Sequence, residues 1–291
     1  MFVLENEFIR LEIKAQGAEM TRLFGKNTQT EYLWNADPAF WSRHAPVLFP
    51  IVGRLRNDAY TWKGQKYAMS QHGFARDKVF HLVESGSGSL VLELLEDDES
   101  LAKYPFPFRL LISYHLEGQR VRVGYEIENT GAEDLPYSIG AHPGFMCPLH
   151  EGESIEDYEL VFEQAETASI HLLQGGLFSG EIEPFLDHQN RIALTPALFD
   201  RDALVFKYLA SRWVDIVSRK TDSPVLRVGI DGLGPFLGIW AKPGAPFVCI
   251  EPWQGLADSV SASGDLMQKE GIALLGSGQN SSYHFDITLF S

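Results

Sequence analysis

Apolar and polar residues alternate along much of the chain, and a period of two is typical of β-strands that bury one face. Residues 8–13 show this clearly, because Ile9, Leu11 and Ile13 share one face and charged residues occupy the other. Segments with strand character follow along the rest of the chain: residues 90–95, 109–116, 121–129, 158–163, 203–209, 213–219, 225–230, 236–241, 246–253 and 282–290. Turns that contain glycine or proline separate several of them, so the pattern predicts many short strands.

Only two segments have helical character. Asp37 followed by Pro38 is typical of a capped helix start and predicts about two turns that include Trp41. A second short helix is expected after residues 97–99. Many strands with few helices favour an all-β fold, a single large β-sandwich, over an α/β fold. Residues 149–157 are acidic, but they are too few to mark a boundary, so we expect one domain over residues 1–291.

The chain carries 24 Lys and Arg residues against 39 Asp and Glu, a formal net charge of −15. Nucleic acids and anionic membrane surfaces are bound through basic clusters, so this charge argues against both as partners. The N-terminal residues lack the pattern of a signal peptide, and no apolar run is long enough to span a membrane. Cys147 and Cys249 lie far apart and outside any CxxC pair, which argues against a disulfide framework. We therefore expect a soluble, cytoplasmic protein.

Two motifs place a basic side chain beside glycine at the end of an apolar segment. Arg54 follows the segment PIVG, where its planar guanidinium could hold paired oxygens, although the residues alone favour a surface arginine after a core strand. The motif QHGFAR contains His72 and Arg76. Glycine next to His72 would let the backbone approach a ligand, and the imidazole can donate or accept a hydrogen bond. A structural histidine, and an arginine paired with a carboxylate, are the alternatives.

Two further motifs hold a possible acid and a possible base. In IGAHPGF, His142 lies between small or rigid residues, and unusual backbone of this kind concentrates at functional sites. In FVCIEPW, Glu251 ends an apolar run, and partial burial raises the pKa of a carboxyl group toward the range that suits a general base. Trp253 offers an apolar platform nearby. A structural histidine and a glutamate that caps a turn remain the alternatives.

Other kinds of chemistry lack their motifs. The nine histidines show no HxH or HExxH spacing, so no metal site is indicated. The glycine-rich loops GxGxxG and GxxxxGK[ST] and the GxSxG nucleophile elbow are absent from the sequence too. The sequence therefore indicates neither a metal nor a cofactor.

Taken in order, the four motifs resemble those of the aldose 1-epimerase, or galactose mutarotase-like, superfamily. The resemblance runs from Gly17 to the last predicted strand, and the segment HAPVLFPIVGR is similar to the bacterial LacX-like branch in particular. It implies a large antiparallel β-supersandwich with a few short helices and with a sugar in an open cleft on one sheet. It also implies a reaction that requires no cofactor or metal.

The resemblance assigns a role to each motif. His142 matches the general acid of the family and Glu251 its general base. Arg54 and His72 match the arginine and the histidine that hold the substrate, and Trp253 would face the sugar ring. Anomer exchange needs this acid and base, because one group must take the proton of the C1 hydroxyl while another protonates the ring oxygen.

The resemblance leaves the substrate open. The family uses an aspartate before a late strand, and Asp202 is the candidate, although the spacing also allows Asp200. The HGFAR form, which contains Arg76, also resembles the hexose-6-phosphate epimerase branch, in which arginines bind phosphate. The net acidity and the LacX-like pattern favour a free hexose such as glucose or galactose. A carbohydrate-binding or sensing protein without turnover is a further alternative, but binding alone needs no matched acid and base.

Overall fold

The structure, a computed structural model, describes residues 1–290. Its strands are numbered β1 to β23 in chain order: Phe2–Glu5, Ile9–Ile13, Met20–Gly25, Thr30–Glu31, Val47–Leu48, Ala59–Trp62, Gln65–Ala68, His81–Ser85, Ser89–Leu95, Phe108–Glu117, Arg120–Asn129, Leu135–Tyr137, Ile139–Ala141, Gly144–Met146, Tyr158–Gln174, Leu177–Ala193, Leu204–Lys207, Trp213–Ser218, Ser223–Gly229, Phe236–Trp240, Phe247–Gln254, Ala273–Leu275 and Asn280–Leu289. Every segment that the alternation predicted as a strand contains one, so the all-β prediction is confirmed.

Helical structure is sparse in the described part of the chain. The one α-helix there, α1, spans Asp98–Lys103 and confirms the helix expected after residues 97–99. Asp97 caps it, because its carboxylate accepts from the Ser100 amide at 2.7 Å while the Ser100 hydroxyl bonds the Asp97 amide at 2.8 Å. Four short 3-10 segments complete the helical content: Arg56–Asp58, Ala75–Asp77, Ile155–Asp157 and Leu266–Gln268. No helix among residues 1–290 is long and apolar enough to cross a membrane.

The helix predicted to begin at Asp37 is wrong. The carboxylate of Asp37 accepts from the Ala39 amide at 2.9 Å, and its carbonyl accepts from the amides of Phe40 and Trp41. These bonds close only a single turn. The chain then leaves the turn. The carbonyl of Trp41 accepts the indole N–H of Trp34 at 2.8 Å, and the Trp41 ring stacks on the ring of His142. Tertiary packing of the two tryptophans therefore overrides the local helix signal.

Two large antiparallel sheets form the body of the molecule. The nine-stranded sheet has the order β16-β15-β18-β19-β23-β11-β10-β9-β8, and the six-stranded sheet contains β17-β20-β21-β13-β5 with β14 also paired to β21. A four-stranded sheet, β1 to β4, and two two-stranded sheets complete the arrangement. Both large sheets contribute side chains to one hydrophobic core. Leu110 and Ile112 come from β10, and Val248 and Ile250 come from β21. This is the expected β-supersandwich.

The hairpin of β15 and β16 extends far beyond what the sequence predicted. Each strand has 17 residues, whereas the alternation indicated only residues 158–163. The pairing of β15 with β18 ends at Phe162, and beyond that point β15 and β16 form a ribbon with several register shifts. Much of β16 is exposed, so a regular apolar alternation is lacking there. The turn of the hairpin, at Gly175 and Gly176, reaches the cleft described next.

Candidate active site

Glu251 lies in β21, in the interior of the six-stranded sheet. Alternate residues of a strand share a face, so Phe247, Cys249, Glu251 and Trp253 project from the same side of β21. The residue paired with Glu251 on β20 is Gly238, at which a Cβ atom would lie 2.3 Å from the Trp253 ring. The absence of a side chain there leaves Trp253 room to lie across the sheet. Glu251 and Trp253 both line one cleft of about 260 Å³.

His142 enters the same cleft from the link between β13 and β14, which both pair with the edge of β21 opposite β20. Its ring stacks on Trp41, with ring centroids 4.8 Å apart, and meets the edges of Trp240 and His72. These three aromatic contacts fix the plane of the imidazole.

The side chains of His142 and Glu251 meet at the base of the cleft. The Nε2 atom of His142 lies 3.2 Å from Oε2 of Glu251, and the Glu251 side chain is only 2% exposed. Burial raises the pKa of Glu251 well above its ordinary value, and the nearby charge of Asp202 adds to the rise. Burial also lowers the pKa of His142, to about 3. Both effects favour the neutral forms, so the pair carries one ionisable proton, which rests on Glu251 beside an uncharged His142.

His72 stands beside His142 in a left-handed backbone conformation, with φ of 67°. Its backbone amide donates to the Gly53 carbonyl at 2.8 Å, and its Nδ1 accepts from the Gly53 amide at 3.1 Å. Because Nδ1 is the acceptor, a neutral His72 carries its proton on Nε2 and can donate it to a ligand. Burial keeps the ring neutral by lowering its pKa well below 6.5, and the neighbouring cationic groups add to this.

Glycine next to His72 serves a purpose different from the one predicted. A Cβ atom at Gly73 would lie 2.2 Å from the carbonyl oxygen of Phe49, and Gly73 has φ of +71°. Gly73 is therefore required for close packing against β5 and its following residues rather than for the approach of a ligand.

Arg76 is the arginine that lines the cleft. Its Nη2 donates to the carbonyl of Gln71 at 2.6 Å, while its buried Nε has no hydrogen-bond partner in the part of the chain that the structure describes. Among the described residues no carboxylate forms an ion pair with it. Burial lowers its pKa to about 10, and the charge of Arg43 acts in the same direction. The cleft thus contains a cationic group without a fixed anionic partner.

Arg54, in contrast, does not line the cleft. Its guanidinium is exposed and bonds both carboxylate oxygens of Asp58 at 2.7 Å. Its Nη1 also donates to the carbonyl of Gly175 at 3.2 Å, which connects the rim of the cleft to the turn of the β15–β16 hairpin. The role of Arg54 in holding a substrate stays a prediction, and in this geometry its contacts are with protein groups.

The structure distinguishes between the two candidate aspartates by position. Asp202 lines the cleft and has a left-handed backbone with φ of 84°, and its carboxylate accepts from the Ala203 amide at 2.8 Å. Asp200 is exposed and does not line the cleft. The cleft thus brings together six of the predicted residues: His72, Arg76, His142, Asp202, Glu251 and Trp253.

Sequence reasoning missed the aromatic and polar partners of this set. Trp41 and Trp240 line the cleft beside His142, Gln71 lines it beside His72, and Phe178 borders it from the β15–β16 hairpin. A signal for Gln71 existed, because it directly precedes His72 in the QHGFAR motif. Trp41, in a segment interpreted as helix, gave none.

Comparison with known proteins identifies the family. The profile of the family described as Aldose 1-epimerase matches residues 1–271. The chain belongs to the aldose 1-epimerase family. The plasmid-encoded protein LacX of Lactococcus lactis subsp. lactis is 36% identical to this family member over 298 residues, with 99% of each chain covered. The resemblance to the LacX-like branch is therefore confirmed.

Solved structures of other family members have the same fold. A galactose mutarotase related enzyme from Lactobacillus acidophilus superposes with a TM-score of 0.93 at 34% identity, covering 100% of this chain and 97% of its own. A galactose mutarotase-like protein from Lactobacillus casei ATCC 334 also gives 0.93, at 30% identity, with both chains covered completely. Membership of the aldose 1-epimerase family supports a sugar epimerase function and hence an isomerase.

Proposed function

We propose that this chain is an aldose 1-epimerase that interconverts the α and β anomers of a free hexose. The observation that carries the proposal is the contact of 3.2 Å between His142 Nε2 and Glu251 Oε2 in the cleft. The two oxygens that exchange protons during anomer exchange are bonded to the same carbon, C1. An acid and a base so close together can therefore serve both oxygens of one bound sugar.

The reaction needs one proton to leave and one to arrive. In the reactive form the ionisable proton of the pair has moved across the 3.2 Å contact from Glu251 to His142. The carboxylate of Glu251 then takes the proton of the C1 hydroxyl while the imidazolium of His142 gives its proton to the ring oxygen, so that the C1–O5 bond breaks and C1 becomes an aldehyde carbon. Rotation about C1–C2 then exposes the other face of the aldehyde, and the same two groups act in reverse as the ring closes. Ring opening and ring closure each need one group that carries a proton and one that can accept it. A pair with a single ionisable proton meets this requirement in both directions.

The remaining residues of the cleft are suited to hold the ring. His72 would donate from Nε2 to a hydroxyl, and the carboxylate of Asp202 would accept from one. Trp253 would pack against the apolar face of the sugar. A protein that only binds carbohydrate needs none of the proton chemistry of the buried pair, which favours the enzyme over a sensor.

A second candidate substrate is a hexose 6-phosphate. The observation that favours it is Arg76, a cleft-lining guanidinium that pairs with no carboxylate among the described residues. Phosphate oxygens are strong acceptors for such a group. The chemistry at C1 would be the same, so the two candidates differ only in what Arg76 contacts.

Exchange spectroscopy by NMR on glucose, galactose and glucose 6-phosphate tests both candidates. We expect anomer exchange far above the uncatalysed rate, with glucose or galactose the better substrate. Faster exchange of glucose 6-phosphate would assign the second candidate. Rates equal to those without protein for all three sugars would exclude epimerase activity on them and leave the carbohydrate-binding alternative.

A further inference from the structure

Cys249 lies next to the acid/base pair and has no part in the proposed reaction. It precedes Glu251 by two residues in β21, so the two side chains project from the same face of the strand. The thiol sulfur, an imidazole nitrogen of His142 and a carboxylate oxygen of Glu251 all lie within 4.8 Å of one another. One sulfur, one nitrogen and one oxygen donor are the ligand types that zinc sites in proteins use.

A second observation concerns the hydrogen bonds of these donors. The Glu251 side chain is only 2% exposed, and its Oε2 has no hydrogen-bond partner among residues 1–290. Buried polar atoms without partners are rare in native proteins, and a bound ion is one of the ways in which they are satisfied. Oε2 faces His142, so the unpartnered oxygen points into the cluster.

We propose that His142, Cys249 and Glu251 form a binding site for Zn²⁺ at the base of the cleft. Three protein ligands would leave one tetrahedral position open toward the cleft, as in zinc sites that bind small ligands. Bond lengths of about 2.0 to 2.3 Å place tetrahedral ligands roughly 3.5 Å apart. The three donor atoms now lie up to 4.8 Å apart, so shifts of about an ångström in the side chains would bring them to the tetrahedral spacing.

The charges of the site balance. The side chains of Cys249 and Glu251 are both buried, and an isolated negative charge is unfavourable in such surroundings. A divalent cation removes that penalty, since one thiolate, one carboxylate and a neutral imidazole sum with Zn²⁺ to zero. Each ligand that ionises gives its proton to the solvent, so binding would release up to two protons and would strengthen as the pH rises.

Occupancy would block the chemistry proposed above. The cation would take the carboxylate oxygen and the imidazole nitrogen that exchange protons with a sugar. Zn²⁺ would therefore inhibit anomer exchange and compete with the sugar, although binding of the cation itself does not depend on the proposed function.

Titration calorimetry of the full chain with zinc chloride tests the site. We expect one Zn²⁺ per chain, with weaker binding in Cys249→Ser by at least about tenfold, the smallest loss found when even a supporting group of a metal site is removed. Cys147→Ser is the matched control, because Cys147 is the other buried free cysteine and lies outside the cluster. Equal affinities of the parent and Cys249→Ser, or no binding by the parent, would overturn the site.

Cobalt gives a measurement that does not depend on a variant folding. Co²⁺ bound by a thiolate shows a sulfur-to-metal charge-transfer absorption, which we expect in the parent and in Cys147→Ser and not in Cys249→Ser or Cys249→Ala. A Co²⁺ complex of the parent without that absorption would exclude Cys249 as a ligand. The sugar assay separates the two proposals: cysteine-dependent metal binding without turnover would remove the epimerase and keep the site, whereas turnover without such binding would do the reverse.

Discussion

Replacement of Glu251 by glutamine is the most direct test of the acid/base pair. The amide has nearly the shape of the carboxyl group, so the packing at this position, where the side chain is only 2% exposed, should persist. An amide cannot take the proton of the C1 hydroxyl. Glu251→Gln should therefore retain the fold and lose the reaction.

The size of the loss follows from the burial of Glu251. General acid–base catalysis contributes typically about 10² to 10⁴ in rate, which is roughly 2.7 to 5.4 kcal/mol of activation free energy. Water has little access to the position of the lost carboxylate, so a solvent molecule cannot easily replace it as base. We therefore expect kcat to fall toward the upper end of this range, by about 10³ to 10⁴.

The thermal stability of Glu251→Gln should not fall with its activity. A carboxyl group whose pKa is raised in the folded state favours folding at low pH, and this contribution is lost as the pH rises through the raised pKa. Glutamine has no such titration, so at neutral pH the variant should unfold at the same temperature as the parent or at a higher one. Thermal unfolding followed by circular dichroism measures this.

Glu166→Gln is the matched control. Glu166 is a second buried carboxylate, but it lies in β15 away from the cleft and accepts from the Ser211 amide at 2.6 Å. Its replacement should lower the unfolding temperature and leave anomer exchange intact, the reverse of Glu251→Gln. If folded Glu251→Gln exchanged glucose at the parental rate in NMR or polarimetry, Glu251 would not be the base.

Three further predictions concern neighbouring groups. Because burial lowers the pKa of His142 to about 3 and raises that of Glu251, kcat/KM measured against pH should show no titration near 6.5; a midpoint at that pH would contradict the one-proton pair. Asp202→Asn should lower kcat/KM roughly tenfold to a hundredfold, the worth of a hydrogen bond to a charged group, while Asp200→Asn should not; equal effects in steady-state kinetics would remove the distinction between them. Arg76→Gln should reduce kcat/KM by a similar factor, about tenfold to a hundredfold, for glucose 6-phosphate only. If kcat/KM for glucose fell by the same factor as kcat/KM for glucose 6-phosphate, Arg76 would not contact a phosphate.

Much of the fold could be predicted from the chain because its strands each bury one face. Ile9, Leu11 and Ile13 alternate with polar residues, and β2 buries these three side chains. The distal part of the β15–β16 hairpin was missed because β15 no longer pairs with β18 beyond Phe162, and the register shifts of the hairpin with its exposed residues break the alternation there. The turn at Asp37 was misinterpreted because a cap begins a helix, whereas distant packing of Trp41 determines whether the helix continues.

The site was predictable in its parts rather than in its assembly. His142 and Glu251 stood out locally, but their contact depends on the pairing of β13 and β14 with β21, a long-range feature that spacing does not encode. The spacing also left Asp200 and Asp202 equivalent, and only the backbone turn at Asp202 separates them. The ion pair of Arg54 with Asp58, four residues on, was not predicted, because it depends on the short 3-10 turn at residues 56–58.

The β15–β16 hairpin has a consequence for how new specificities can arise. It brings Leu173, Gly176 and Phe178 to one wall of the cleft from the edge of the nine-stranded sheet, whereas Glu251 and the link that carries His142 belong to the six-stranded sheet. Insertions, deletions or grafts at the Gly175 turn would reshape the entrance without altering the register that holds His142 against Glu251. Changes in the hairpin turn, whether evolved or designed, would thus alter which sugar the cleft binds and leave the proposed reaction of His142 and Glu251 unchanged.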